Sequence, residues 1–219
     1  MSMFLRRERC LKWRLYAITC PKGLSHQENA ARVEAAIRGG ASVVQVRDKR
    51  ATDQELLRQA CELLPITRRL GVPLIVNDRP RVAKEVGADG VHLGQEDGSL
   101  SEARSLLGEE ALIGRSTHSP EQALAAEKEG FDYIGVGPIY ATPTKPGRSA
   151  TGLEFIRFAA ANLRVPFVAI GGIGETNLDE VLEAGALRVA FVRALLGRTD
   201  PEEAAKKLMA KIQGRSKNT

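Results

Sequence analysis

The chain has 219 residues, 43% of them apolar and 27% charged, with a net charge of +5. That composition is near the average for globular domains and excludes disordered, collagen-like and coiled-coil classes. No apolar run approaches the roughly 18–20 residues of a membrane span, and three scattered cysteines (Cys10, Cys20, Cys61) with three histidines suit neither a disulfide framework nor a zinc ribbon.

The first fourteen residues are basic: Arg6, Arg7, Arg9, Lys12 and Arg14 face only Glu8. No long apolar core follows, so the segment is not a secretory signal. It reads as a solvated extension, since chain ends are usually loosely ordered. A cytoplasmic protein is expected. From Arg14 on, short β-branched or apolar runs alternate with helical spacing. Candidate strands lie at Arg14–Thr19, Ser42–Arg47, Pro73–Val76, Gly90–Leu93, Ala111–Gly114, Tyr133–Val136, Pro166–Ile170 and Arg188–Val192. Between them, Ala30, Val33 and Ile37 recur on one helical face, as do Leu56, Ala60, Leu63 and Leu64. Thr52–Glu55 and Ser119–Gln122 have the capping-box pattern, with weaker versions at Thr176–Asp179 and Asp200–Glu203. Gly39-Gly40, Gly71, Gly87, Gly130 and Gly185 mark helix ends.

Eight strand–helix units of roughly 25 residues, with no break in composition, predict a single parallel (β/α)8 barrel. A doubly wound open sheet is the alternative. The barrel is expected over 14–213, with a basic extension at 1–13 and a tail at 214–219. The basic excess sits at the two ends, Lys206, Lys207, Lys211, Arg215 and Lys217 supplying the second. The body between them is slightly acidic, which argues against a nucleic-acid partner.

In such a barrel the chemistry collects where the strands end. Strand 2 delivers Gln45, Arg47 and Lys49 on one face. Two cations at the mouth suit a polyphosphate, or a salt bridge to a neighbouring strand's acid. Strands 3 and 4 deliver Asn77, Asp78 and Asp97. Two carboxylates beside a phosphate cradle suit Mg2+, or they cap the helices that follow. Ser116 and His118 leave strand 5. Strand 6 leads into a long loop with Thr142, Thr144 and Lys145, the length expected of a binding loop. Gly171-Gly172 after strand 7, with Val192 and Arg193 after strand 8, suits a phosphate held by backbone amides. Two anion sites emerge, one cationic and Mg-assisted, the other built on backbone.

These segments resemble the thiamine-phosphate synthase family over nearly the whole barrel: QVRDK at 45–49, ND at 77–78, VHLGQED at 91–97, GRSTH at 114–118, GPIYATPTKPG at 137–147 and AIGGI at 169–173. The resemblance implies a Mg2+-dependent transferase that joins hydroxymethylpyrimidine diphosphate to a thiazole phosphate and releases pyrophosphate. It implies that Gln45, Arg47, Lys49, Asn77, Ser116 and Lys145 bind the pyrimidine diphosphate, and that Arg47, Lys49, Lys145 and Ser116 carry the catalysis. Thr142, Thr144, Gly172, Val192 and Arg193 fall on the thiazole-phosphate side, with Asp78 and Asp97 on Mg2+. The expected partners are small molecules, with no nucleic acid and no membrane; homo-oligomerisation is left open. Two positions depart from the family pattern: Arg193 stands where the family usually has Ser, and Cys20 where it often has Asp. The competing readings are a thiazole tautomerase using His118 and a non-catalytic phosphate-binding barrel.

Overall fold

The computed structural model describes residues 2–19, 23–142 and 149–216. In chain order the elements are α1 (Met3–Leu11), β1 (Leu15–Ile18), α2 (His26–Arg38), β2 (Ala41–Val46), α3 (Asp53–Arg69), β3 (Leu74–Asn77), α4 (Pro80–Val86), β4 (Gly90–Leu93), α5 (Leu100–Leu107) and β5 (Leu112–Thr117). There follow α6 (Pro120–Glu129), β6 (Tyr133–Val136), α7 (Gly152–Asn162), β7 (Phe167–Ala169), α8 (Leu178–Glu183), β8 (Val189–Phe191), α9 (Arg193–Leu196) and α10 (Pro201–Ser216). Among the described residues the eight strands pair in parallel, each with the next, and β8 returns to β1 to close the barrel. No described helix is long and apolar enough to cross a membrane.

Period-2 alternation along the strands divides the core in two. Outward residues such as Leu15, Val44, Val76, Val91, Ile113 and Ile134 pack under the helices. Their partners are the faces predicted from spacing: Ala30, Val33 and Ile37 of α2, and Leu56, Ala60, Leu63 and Leu64 of α3, are all buried. Inward residues form a separate cluster of Tyr16, Ile18, Val43, Ile75, Leu112, Tyr133, Val168 and Ala190. Polar inward positions follow one step further along several strands, and those steps make the site.

Two expectations need correction. The N-terminal segment is not a solvated tail. Ser2 caps α1, which lies across the N-terminal end of the barrel. Arg6 Nε donates to Asp132 Oδ1 at 2.7 Å, and Arg104 reaches the other carboxylate oxygen at 2.6 Å. Asp132 is fully buried, so its charge needs both guanidiniums and the Ile113 amide that also donates to it. Cys10 and Trp13 then close the barrel floor. Spacing did not reveal this, because an arginine-rich segment looks solvated until its buried acid is located. At the other end, α10 runs through Ser216, beyond the expected boundary at 213, and buries Ala205, Leu208 and Ile212 between its lysines.

Helix starts follow the capping chemistry in part. Thr52 and Ser119 accept from the amides three residues on, and Asp200 does the same for Glu203. The complete capping boxes are at Ser25–Glu28 and Ser99–Glu102. Asn177 makes no cap: its amide oxygen takes the Gly174 N–H instead. Ser119 does not complete a box because Gln122 Oε1 accepts from the His118 amide at 2.8 Å.

Candidate active site

A cavity of about 300 Å³ opens at the C-terminal ends of the strands. Gln45, Arg47, Asn77, Ser116, His118, Thr142, Gly172, Val192 and Arg193 all line it, so the structure brings together most of the residues singled out from the sequence. Thr144 and Lys145 lie outside the described residues, as does Cys20.

Arg47 leaves β2 with its main chain fixed, since Thr19 Oγ1 accepts from its amide at 2.9 Å. Among the described residues no carboxylate pairs with its guanidinium. Asp48, a possible partner by proximity, is held by Gln59 and by the Arg50 amide. Lys49 stands beside the cavity rather than in its lining, with Nζ 3.2 Å from Asp78 Oδ2. The salt bridge to a neighbouring strand's acid is therefore present, and it links the ammonium to the carboxylate pair.

Asp78 has φ +63°, a left-handed conformation that is rare and costly for a residue with a side chain. The turn aims its carboxyl at Asp97, with which it shares a hydrogen bond. Burial pushes the Asp78 carboxyl up, but the bond from Asp97 and the Lys49 ammonium outweigh it and hold the carboxyl below the usual range. Asp97 is pushed up by burial, by its bond to Asp78 and by the Asp78 charge. Asp97 caps no helix: its Oδ2 accepts from the Gly94 amide at 2.7 Å, and Ser99 caps α5. Two hard oxygen donors forced together, each disfavouring the other's charge, fit a divalent cation that would relieve their repulsion. The described residues contain no cluster of three or more His, Cys, Asp or Glu side chains suited to a metal. The remaining ligands would then be water or substrate oxygens, the usual habit of Mg2+.

At the opposite rim, Gly172 has φ +67°, and a Cβ there would sit 2.7 Å from Tyr140 Cβ and 2.9 Å from the Ala141 carbonyl oxygen. Glycine is thus required by the close approach of the loop after β6. Asn177 staples this turn by donating to Gly172 O at 3.0 Å and accepting from Gly174 N at 2.8 Å. Among the described residues nothing accepts from the Gly172 amide. Arg193 opens α9 at the same rim, exposed and without an ion-pair partner among the described residues.

Ser116 belongs to β5 itself rather than to the loop after it. The strand runs three residues past its predicted end because Ser116 and Thr117 continue the pairing with Gly135 and Val136. Four hydrogen bonds cross the cavity floor: Gln45 Nε2 to Tyr16 Oη (2.9 Å), Tyr16 Oη to Tyr133 Oη (3.1 Å), Tyr133 Oη to His92 Nδ1 (3.1 Å) and His92 Nε2 to Ser116 Oγ (2.9 Å). Sequence reasoning assigned no role to Tyr16, Tyr133 or His92. Their signal was parity: each occupies an inward position on its strand. His118 lines the cavity too, its Nδ1 bonded to the Gly137 carbonyl oxygen.

A family model described as thiamine monophosphate synthase matches residues 15–195. The chain belongs to the thiamine monophosphate synthase family. A relative named thiamine-phosphate synthase from Thermus thermophilus is 50% identical over 203 residues, covering 92% of this chain and 98% of that protein. Another of that name from Chloroflexus aurantiacus is 47% identical over 204 residues, 91% of this chain and 93% of its own. The solved thiamine phosphate pyrophosphorylase from Pyrococcus furiosus superposes with a TM-score of 0.84 at 34% identity, covering 96% of this chain and 98% of that one. As a member of the thiamine monophosphate synthase family, this chain carries the closed parallel barrel that the motifs implied.

Proposed function

We propose that the chain is a thiamine-phosphate synthase. It joins 4-amino-5-hydroxymethyl-2-methylpyrimidine diphosphate to the thiazole phosphate and releases pyrophosphate. The observation that carries this reading is the pairing of two dissimilar anion sites on one cavity. Arg47 and Lys49 stand with a carboxylate pair on one side, and Gly172 and Arg193 on the other.

The C–O bond between the pyrimidine methylene and the diphosphate breaks, and its electron pair leaves on pyrophosphate. The aminopyrimidine ring spreads the positive charge left on the methylene. The thiazole nitrogen lone pair then forms the new C–N bond, so no protein nucleophile is needed. Arg47 forks onto diphosphate oxygens, and Lys49 adds a point charge once it turns from Asp78. Lys145, from the loop after β6, is assigned to the same diphosphate. Asp78 and Asp97 would hold Mg2+, and the ion would neutralise charge building on the leaving group. Gln45, Asn77 and Ser116 orient the pyrimidine. Thr142, Thr144, the Gly172 amide, Val192 and Arg193 receive the thiazole phosphate, so the arginine in place of serine adds a charge-assisted contact there.

The test is product formation by the purified chain with both substrates, first with Mg2+ and then with EDTA. Thiamine phosphate and pyrophosphate in equal amounts, lost with EDTA, are expected. Absence of product, with thiazole isomerisation in its place, would move the assignment to a tautomerase acting through His118.

A further inference from the structure

The hydrogen-bonded chain across the cavity floor has a direction. Gln45 Nε2 can only donate, so Tyr16 Oη receives a hydrogen and has its own to give. That hydrogen goes to Tyr133 Oη, and the Tyr133 hydrogen goes to His92 Nδ1. An imidazole accepting at Nδ1 is the neutral Nε2–H tautomer, so His92 donates to Ser116 Oγ. The reverse order would aim Gln45 and Tyr133 both at Tyr16 and leave the Tyr16 hydrogen without an acceptor among the described residues. An unsatisfied buried hydroxyl is costly, and Tyr16 is 2% exposed.

Packing holds the chain in place. The Trp13 ring meets Tyr133 edge-on at 4.9 Å and Tyr16 at 5.7 Å. The Tyr133 ring fills space that exists only because residue 114 is glycine, where a Cβ would come within 2.2 Å of the ring.

We infer that Tyr16, Tyr133 and His92 are positioning residues that fix what the two ends of this chain offer the pyrimidine. Gln45 presents its carbonyl oxygen as an acceptor, and Ser116 presents its hydroxyl hydrogen as a donor. One acceptor and one donor match a ring carrying an amino group and a bare ring nitrogen. They oppose the 4-oxo ring, which offers a carbonyl where the amino group stood. The chain is therefore a selectivity device for amino over oxo pyrimidine diphosphates. The inference rests on the proposed synthase reading, in which Gln45 and Ser116 contact the pyrimidine.

Two measurements test it. Nitrogen NMR of the whole chain should find His92 with Nδ1 bare and Nε2 protonated, while His118, which donates from Nδ1 to the Gly137 carbonyl, shows the opposite pattern. Loss of each signal in His92→Gln and His118→Gln assigns them. A protonated Nδ1 on His92 overturns the inference without reference to any variant's folding. In kinetics, Tyr133→Phe should reduce the kcat/KM ratio of the 4-amino over the 4-oxo diphosphate by roughly 10–100-fold, with the thiazole-phosphate KM unchanged. In a Ser116→Ala background the same substitution should reduce it by less, because part of its effect passes through Ser116. Tyr16→Phe repeats the test from the other end. Wild-type chain without synthase activity would instead remove the underlying reading, whereas active chain with undiminished discrimination in a folded Tyr133→Phe would remove this inference alone.

Discussion

Lys49 Nζ stands 3.2 Å from Asp78 Oδ2 and holds that carboxyl down, while burial and the neighbouring Asp78 push the Asp97 carboxyl up. Two carboxylates this close disfavour each other's charge, and a divalent cation between them would relieve that. Substituting Asp97→Asn halves the anionic charge available to Mg2+. The half-saturating Mg2+ concentration should rise on the order of 10–100-fold, in line with the cost of disturbing a metal's ligand sphere. Asp78→Asn should abolish activity together with its Mg2+ dependence. Titrating activity with Mg2+ checks both, and an Asp97→Asn protein saturating at the wild-type concentration would remove that residue from the ligand set.

The two anion sites should separate in kinetics. Lys49→Ala should raise the KM for the pyrimidine diphosphate by roughly 10–100-fold, the worth of one charged hydrogen bond, while the thiazole-phosphate KM holds. Arg193→Ala should do the reverse, by about two- to fivefold because its side chain is exposed. Initial rates with each substrate varied in turn decide the matter. Equal losses on both substrates would contradict the two-site map.

The floor of the barrel governs stability. Arg6→Met leaves the buried Asp132 with Arg104 as its remaining ionic partner among the described residues and removes one of the ties of α1 to the barrel. A loss of about 2–4 kcal/mol is expected, equivalent to a fall on the order of 5–10 °C in Tm. A double-mutant cycle with Asp132→Asn measures how much of this belongs to the pair.

Alkaline pH should unfold the chain through three groups. Burial pushes the Cys10 thiol above its ordinary 9.0 and the Tyr16 and Tyr133 phenols above their ordinary 10.0. A group whose value is raised by folding contributes its stability below the ordinary value and loses it as pH climbs beyond. Stability should therefore start to fall near pH 9 and steepen above pH 10, as the unfolded chain ionises what the folded chain keeps neutral. The slope approaches about 1.4 kcal/mol per pH unit for each group. Urea midpoints across pH 8–11 give the profile, and Tyr133→Phe should make it shallower.

The barrel was legible because each strand run is short, apolar and bounded by turn residues, and because the intervening spacing is helical. Most of the rim was legible as well, since residues leaving a barrel strand have few places to go. Two features stayed hidden for a common reason. Tyr16, Tyr133 and His92 sit inside strands that read as ordinary core, and their bonds join β1, β4 and β6 across the interior. Arg6 and Asp132 lie 126 residues apart. Local pattern carries periodicity and caps, but a buried polar partner on a distant element leaves no trace near its mate.

That 126-residue separation also sets an order of events during synthesis. The basic α1 segment is made before the barrel it closes, yet the acid it pairs with arrives only after β5 has been made. β1 waits longer still for its second neighbour, since Leu15 pairs with Val189. Until then the first strands have an open edge and an uncovered floor, and joining such distant segments demands closure of a long loop. Docking of α1 thus waits on residues made well after it, and it records that the chain behind it has been completed through Asp132.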